Sequence, residues 1–177
     1  MSIRLGRFIE SSGVLPTTLF AYRKGLGTSD AIVCLSHTLQ SALESGQKAI
    51  IVQIDFSAAF GRVNHQGVLY KLCSLGNGGS VLSVLKQFLS NGLQHVMVVG
   101  CRGTLVNIVS EVPHGSVLCP LLSFLYTTEL FYTLKNKLIG YLDDSSLMAV
   151  VPSPGVRVTV AESLISDLGR IRVCCDL

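Results

Sequence analysis

Hydrophobic positions along the chain recur at two spacings, which predict helices and strands in turn. Apolar residues three or four apart predict a helix over 30–45, with Ser29 as its N-cap and Gly46 at its end. The run "KAIIVQIDF" at 48–56 is nearly all apolar and rich in β-branched residues. Such a run is typical of a strand that is covered on both faces.

The rest of the chain alternates between the same two patterns. Their combination predicts an α+β fold, with helices packed on one face of a mainly antiparallel sheet. The further helices are predicted over residues 2–12, 65–75, 80–90, 116–135 and 158–171, and the hairpins over 94–112 and 137–151.

Composition indicates a chain with little charge to cover its surface. Charged residues are 14% and hydrophobic residues 49% of the 177 residues, and the net charge is +3. A typical soluble domain has roughly a quarter charged residues. We therefore expect apolar surface that further protein normally covers, and a weakly basic chain that permits a polyanionic partner.

Neither a membrane span nor a secretion signal is predicted. The apolar run 112–128 contains Pro113 and Pro120 and is interrupted by Glu129, so it is shorter than a spanning helix needs. The charged residues Arg4 and Arg7 interrupt the N-terminal segment, where a signal peptide has an apolar core. We expect an intracellular protein of the nucleus or cytoplasm that makes no membrane contact.

The six cysteines show no CxxC pair and no histidine at zinc-finger spacing. Most stand inside apolar stretches such as "AIVCL". This usage predicts buried free thiols in a reducing compartment.

Three of the eleven acidic residues differ from the others in position. Most, Asp167 among them, fall at helix ends or on helical faces, where we expect them to be solvated. Asp55, Asp143 and Asp144 come directly after apolar strands. Side chains of adjacent strand residues point to opposite faces, but a hairpin turn allows both Asp143 and Asp144 to serve one site. A purely structural reading stays open, because Asp-Asp-Ser-Ser is also good turn chemistry.

Three carboxylates at one sheet edge would repel each other unless a cation lay among them. Mg²⁺ is the natural candidate, because this hard ion is held by one or two carboxylates together with substrate phosphates. Metal-assisted phosphoryl transfer becomes the leading chemistry, in which two ions about 4 Å apart hold the attacking and leaving oxygens.

The segments around these carboxylates resemble a known family. "IVQIDFSAAFGRVNH", "VPHGSVLCPLLSFLYTTEL" and "GYLDDSSLMA" resemble the three palm motifs of the reverse transcriptase domain of non-LTR retrotransposons of the LINE or jockey type. "FAYRKGLGTSDAI" resembles a fingers-to-palm segment that precedes them, and "AESLISDLGRIRVCCDL" the stretch that follows. All blocks occur in family order and at family spacing, so the resemblance covers nearly the whole chain.

The resemblance implies a metal-binding role for the acidic residues. Asp55 and Asp143 would bind two Mg²⁺ ions, with Asp144 beside them and the Phe56 backbone carbonyl as a further ligand.

The resemblance also implies substrate contacts. Phe60 matches a steric gate that excludes a ribose 2′-hydroxyl, with an ordinary core aromatic as the competing interpretation. Gly115 and Ser116 would form a loop touching the nucleotide, or else only a helix-capping turn. Arg23 and Lys24 would contact the template backbone, or else be merely solvated.

The implied fold is a polymerase palm with incomplete fingers and no thumb. Residues 1–28 would be a remnant of the fingers and connecting segment, and 29–177 a palm truncated on its C-terminal side. The implied function is RNA-directed DNA polymerisation, with an RNA template, a DNA primer and dNTP as partners.

The alternative is a catalytically inactive retroelement fragment that binds nucleic acid or protein weakly. Departures from the family pattern favour it, chiefly Gly61 in place of the second aspartate of the first motif and Leu142 in place of alanine before the aspartate pair. Extra bulk beside a metal site can displace a carboxylate by around 1 Å, which lowers a rate on the order of a hundredfold.

Overall fold

The elements below come from a computed structural model that describes residues 2–56, 63–90, 92–107, 116, 118–141 and 143–176. The helices are α1 (Ser2–Ser11), α2 (Thr28–Glu44), α3 (His65–Ser74), α4 (Ser80–Leu89), α5 (Cys119–Thr133) and α6 (Arg157–Asp176), with a 3₁₀ turn at Pro154–Val156. The strands are β1 (Lys48–Asp55), β2 (Leu93–Gln94), β3 (Met97–Val98), β4 (Cys101–Arg102), β5 (Val106–Asn107), β6 (Lys137–Tyr141) and β7 (Asp144–Val151). No helix in these ranges is both long and apolar enough to cross a membrane.

The chain divides into two compact units. One unit, within residues 3–57 and 127–177, contains the main sheet with α1, α2 and α6. The other lies mostly within residues 58–126 and contains α3, α4 and two short ribbons, while α5 is shared between the units.

The main sheet is antiparallel with strand order β1-β7-β6. β1 pairs with β7 over its full length, from Lys48 opposite Val151 to Asp55 opposite Asp144. β6 pairs with the other edge of β7, and a short parallel bridge joins Leu19 to Gly140. Because β7 is the central strand, it is buried at five of its eight positions.

Each face of the sheet carries its own apolar cluster, because alternate residues of a strand point to opposite faces. On one face, Leu138, Leu147 and Ala149 pack with Leu130 near the end of α5 and with α6 side chains such as Leu164. This packing confirms the predicted α+β fold with helices on an antiparallel sheet.

The opposite face is covered over part of its length as well. Ile139 and Met148 pack there with Phe20 and with the α2 side chains Leu35 and Leu39. Helices therefore cover both faces of the sheet at its middle, and not one face as predicted. This cover accounts for the nearly continuous apolar run of β1.

The predicted helix ends are largely confirmed. Gly46 ends α2 with a positive φ of 69°, and the N–H groups of Gly46 and Gln47 donate to Leu43 and Ala42 carbonyls. This is a Schellman arrangement that uses the carbonyls left over at a helix end. The predicted N-cap Ser29 is wrong, because α2 begins at Thr28 after Gly27.

The second unit differs most from the predicted elements. The predicted hairpin over 94–112 turns at Val99 and Gly100, both with positive φ, but each of its strands β3 and β4 has two residues. A second ribbon pairs β2 with β5. Apolar side chains are exposed along both ribbons, as the composition predicts: Leu93, Val96, Met97, Val98, Val99, Leu105 and Val106.

The cysteines are less buried than predicted. Cys119 is buried, whereas Cys73 and Cys101 are exposed. Cys73 lies on an amphipathic helix and Cys101 on a short exposed ribbon, so an apolar sequence neighbourhood does not bury either thiol. Burial raises the pKa of the Cys119 thiol above its ordinary value, which keeps it protonated.

Asp167 contradicts its predicted solvation, since its side chain is fully buried. Both carboxylate oxygens accept from the Lys135 backbone N–H at 3.0 and 3.1 Å. One of them also accepts from the backbone N–H and the side-chain amide of Asn136, each at 2.8 Å. The carboxylate thus fixes the connection between α5 and β6.

Replacement of Gly140 by alanine is expected to destabilise the sheet. A Cβ at this position of β6 would lie 2.7 Å from Phe131 Cζ and 3.3 Å from Leu19 Cδ1. Overpacking of this kind costs about 1–3 kcal/mol of unfolding free energy. Urea denaturation measures the difference between Gly140→Ala and the wild type.

Gly169→Ala is the matched control for this substitution. Gly169 lies in α6, and no atom comes within 4 Å of the position that an alanine methyl group would take there. Alanine at this position should therefore stabilise the chain by about 0.5–1 kcal/mol. Equal effects of the two substitutions would contradict the close approach at Gly140.

Candidate active site

The end of β1 and the start of β7 bring three acidic residues to one edge of the main sheet. Asp55 and Asp144 are directly opposite each other in the β1–β7 register. The N–H of Phe56 donates to the backbone carbonyl of Asp143 at 3.0 Å, which continues the pairing one residue further. Residues that are almost 90 positions apart in sequence therefore meet here, as the sequence pattern predicts.

The hairpin between β6 and β7 determines how these carboxylates are presented. Tyr141 pairs with Asp144, so only two residues of the sequence separate the paired ends of β6 and β7. Opposed residues of an antiparallel pair project on the same face, so Asp55 and Asp144 share a face with Tyr141. Asp143 lies in the turn, outside the strict alternation of the strand.

The three carboxylates are accessible to solvent and lack protein partners in the described part of the chain. Asp55 and Asp144 are exposed and Asp143 is half-buried. None of the three carboxylates forms a hydrogen bond or ion pair with a described side chain. Over the same residues, no three ligating side chains already converge into a metal centre.

This donor set fits Mg²⁺ in its chemistry. Carboxylate oxygens are the ligands that the ion prefers, and it usually takes one or two of them with the rest of its coordination from water or substrate phosphates. A preformed cage of three protein ligands is therefore not required for binding.

The side chain of Phe56 packs in the core, whereas its backbone lies at this edge. Its side chain is half-buried and packs against the cluster that includes Leu147 and Ala149. Its backbone lies beside Asp143, to which its N–H donates. This anchoring keeps the chain immediately after Asp55 next to the turn.

Of the predicted nucleotide-binding residues, Ser116 alone is among the described residues. Its hydroxyl accepts a hydrogen bond from the Leu118 N–H at 3.1 Å, and its carbonyl accepts from the Cys119 N–H at 3.1 Å. The predicted turn before α5 is therefore present at Ser116. Phe60 and Gly115 lie outside the described residues, as do Gly61 and Leu142.

The predicted template-binding residues lie in the loop before α2. The Arg23 guanidinium donates through Nη1 to the carbonyls of Pro16 and Leu19, at 3.0 and 3.3 Å, and its buried Nε has no partner among the described residues. Lys24 is exposed, and its backbone N–H donates to a Glu10 carboxylate oxygen at 3.3 Å. Arg23 thus stabilises its own loop, a role that its sequence context does not reveal.

A polar pair that was not predicted from the sequence lies two residues from the opposed carboxylates along β1 and β7. Gln53 is opposite Ser146 in the β1–β7 register, and Ser146 Oγ donates to Gln53 Oε1 at 2.9 Å. The available signal is a glutamine inside the otherwise apolar run "AIIVQIDF". Its cross-strand partner cannot be read from the sequence without the register.

Comparison with known proteins gives a family match along almost the whole chain. Residues 4–165 match the family described as "Reverse transcriptase (RNA-dependent DNA polymerase)". The RNA-directed DNA polymerase from mobile element jockey of Drosophila funebris is 30% identical over 148 residues, which are 82% of this chain and 16% of that polymerase. The jockey polymerase of Drosophila melanogaster is 32% identical over 116 residues, or 66% of this chain and 13% of that polymerase. The chain therefore spans about a sixth or less of these curated relatives.

Among solved structures, the fold is similar to that of the apo telomerase of Candida tropicalis. The two superpose with a TM-score of 0.63 at 10% identity, over 95% of this chain and 37% of the telomerase chain. At this identity the likeness concerns the fold, which is that of a polymerase palm.

Proposed function

We propose that this chain, which belongs to the reverse transcriptase (RNA-dependent DNA polymerase) family, is the palm of a mobile-element polymerase that adds dNMP to a primer 3′-hydroxyl. The observation that carries the proposal is the pairing of Asp55 with Asp144, with Asp143 in the adjacent turn. RNA is the proposed template, DNA the primer and dNTP the second substrate.

In this proposal Asp55 and Asp143 would hold two Mg²⁺ ions, with Asp144 beside them and the Phe56 carbonyl as a further ligand. When bound, the ions supply the positive charge that holds the attacking and leaving oxygens of an in-line displacement. The 3′-hydroxyl oxygen forms a bond to the α-phosphorus, the bond to pyrophosphate breaks, and the hydroxyl proton passes to solvent.

The chain's own residues contribute position and charge. The ladder between β1 and β7 fixes the separation of Asp55 and Asp144, so the carboxylates need little rearrangement when the substrates arrive. Their exposure leaves room for a polynucleotide end at this edge. Phe60 is proposed as the steric gate, Gly115 and Ser116 as nucleotide contacts, and Arg23 and Lys24 as template contacts.

A second candidate, an inactive fragment with weak binding, is favoured by two residues. Gly61 replaces the second aspartate of the first motif, and Leu142 replaces a small residue before the aspartate pair. Both stand within a few residues of the proposed metal ligands. The two candidates differ in whether the carboxylates support catalysis.

Primer extension in a chimera separates these candidates. Residues 4–165 replace the matching stretch of the Drosophila funebris jockey polymerase, and a labelled DNA primer is extended on an RNA template. We expect extension with Mg²⁺ and its loss, by at least about a hundredfold, in excess EDTA, since the ions stabilise the transition state by several kcal/mol. Restoring Mg²⁺ should restore extension.

The native jockey polymerase serves as the positive control in the same assay. A folded chimera that binds the primer–template but extends it neither with Mg²⁺ nor with Mn²⁺ would favour the inactive fragment. Extension that persists in excess EDTA would contradict the metal-dependent mechanism.

A further inference from the structure

A polar pair lies next to the opposed carboxylates Asp55 and Asp144, on the same face of the sheet. Gln53 and Ser146 are opposed in the register, two residues behind the opposed Asp55 and Asp144. Because side chains alternate along a strand and opposed residues share a face, these four side chains project to one side. The next pair on that face is Ile51 and Met148, which belong to the apolar cluster under α2.

The position of Gln53 is unusual for its residue type. The neighbouring residues of β1, from Ala49 to Ile54, are otherwise all apolar, and glutamine contributes little to such a strand. Its side chain is exposed rather than covered by α2. The polar pair therefore lies between the part of this face that α2 covers and the exposed edge that carries Asp55 and Asp144.

The hydrogen bond with Ser146 orients the Gln53 amide. The hydroxyl donates to Oε1 at 2.9 Å, which fixes the carbonyl end of the amide. The Nε2 group keeps both of its N–H donors, since no hydrogen bond to a described residue engages them. Two donors are thereby held on the face that carries Asp55 and Asp144.

We infer that Gln53 binds a phosphate oxygen of the 3′-terminal linkage of the primer strand, and that Ser146 is the positioning residue that orients its amide. The inference rests on the proposed function, which places the primer end at the carboxylates. Gln53 precedes Asp55 by two positions, about 6.8 Å along β1, so its amide lies close to the carboxylates at which the primer would end.

The neutral charge of Gln53 suits a donor at this place. A lysine two residues from Asp55 would form an ion pair with the carboxylates and compete with the metal ions for them. An amide donates to phosphate without neutralising the carboxylates. Contacts to phosphate position a strand but carry no sequence information, so the contribution to affinity is independent of primer sequence.

Fluorescence anisotropy with a labelled DNA primer on an RNA template tests this inference on the chain as it exists, in EDTA so that the metal site does not contribute. We expect Gln53→Leu to raise the dissociation constant about three- to tenfold, the effect of one net hydrogen bond. Gln53→Glu, which keeps the shape but repels phosphate, should raise it further. A primer with a methylphosphonate at its 3′-terminal linkage, which is uncharged and keeps only one non-bridging oxygen, should show a smaller difference between the wild type and Gln53→Leu.

Ser146 has its own arm in the experiment. Ser146→Ala should weaken binding by about two- to threefold because the amide loses its orientation, and Ser146→Thr should restore it because threonine keeps the hydroxyl. The double variant with Gln53→Leu should be no weaker than Gln53→Leu alone, since the serine acts through the glutamine. Gln40→Leu, an exposed glutamine of α2 that donates to Glu44 at 2.8 Å, is the matched control and should bind as the wild type does.

Folding of each variant is checked by circular dichroism before binding is measured. Unchanged binding by Gln53→Leu and Gln53→Glu would overturn the inference, as would an equal loss on the natural and methylphosphonate primers, or no binding by the folded wild-type chain. The proposed function fails by a different result, a folded chimera that binds the primer–template but extends it with neither Mg²⁺ nor Mn²⁺, so the two failures are distinguishable.

Discussion

Replacement of Asp143 by alanine is expected to lower the rate of primer extension by the chimera at least about a thousandfold. The proposed role of this carboxylate is to hold metal ions that stabilise the transition state by several kcal/mol, and each 1.36 kcal/mol corresponds to a factor of ten in rate. Single-turnover extension with saturating primer–template and dNTP measures the change without contributions from binding.

The position of Asp143 allows a loss of catalysis to be separated from a loss of structure. Its carboxylate has no hydrogen bond to a described side chain, and it is half-buried in a turn. Its backbone carbonyl, which accepts from the Phe56 N–H, remains after substitution by alanine. We therefore expect the melting temperature of Asp143→Ala to stay within a few degrees of the wild type while extension is lost.

Two further variants provide the comparisons for the expected loss of extension in Asp143→Ala. Asp144→Ala should reduce extension less than Asp143→Ala, since in the proposal Asp55 and Asp143 would hold the ions and Asp144 would only stand beside them. Glu162→Ala removes an exposed carboxylate of α6 and should leave the rate unchanged. Extension by Asp143→Ala at the wild-type rate would show that the acidic residues form only a turn.

Much of the backbone arrangement of this site could be predicted from local sequence patterns. Asp55 ends β1 and Asp143 follows β6, and both strands are predicted by their apolar runs. The Asp-Asp-Ser-Ser sequence does not form the turn as a whole, because Asp144, Ser145 and Ser146 already belong to β7. Strands that are covered on both faces must be central or well packed, which limits where their polar ends can lie. The position of the acidic residues at one edge of the sheet could therefore be predicted before any register was known, although no three ligating side chains converge there in the described part of the chain.

What the sequence left open depends on pairs of residues far apart in the chain. The register that opposes Gln53 to Ser146 is determined by the packing of both sheet faces, because a slip by one residue would exchange the apolar clusters. The bonds of Arg23 to its own loop depend on how residues 16–23 fold back, which residue type alone does not specify. Polar contacts within a loop produce no periodic pattern in the sequence from which they could be predicted.

Asp167 illustrates the same limit with the largest expected effect on stability. A carboxylate on a helix is usually solvated, and helical periodicity cannot show that the α5–β6 connection closes over it. The buried group instead accepts hydrogen bonds from the backbone N–H groups of Lys135 and Asn136 and from the Asn136 side chain. The Asn136 amide also donates to Ser163 Oγ at 3.0 Å, which ties the connection to α6 a second time.

Asp167→Ala is expected to lower the free energy of unfolding by about 3–5 kcal/mol, because several buried donors lose a charged acceptor together. For a chain of this size that corresponds to a fall in melting temperature of roughly 10 °C. Thermal and urea denaturation followed by circular dichroism measure both quantities. Asp167→Asn keeps the shape and one acceptor oxygen, so its loss should be smaller.

Glu162→Ala, five residues earlier on the same helix, removes an exposed carboxylate and should change stability by no more than about 0.5 kcal/mol. A similar small effect of Asp167→Ala would contradict its burial among these donors. A large effect has a further consequence, because the anchored residues lead directly into β6 and through it into the turn at Asp143. Loosening the connection should therefore reduce the protection of the Tyr141 and Asp144 amides from hydrogen exchange before the helices unfold.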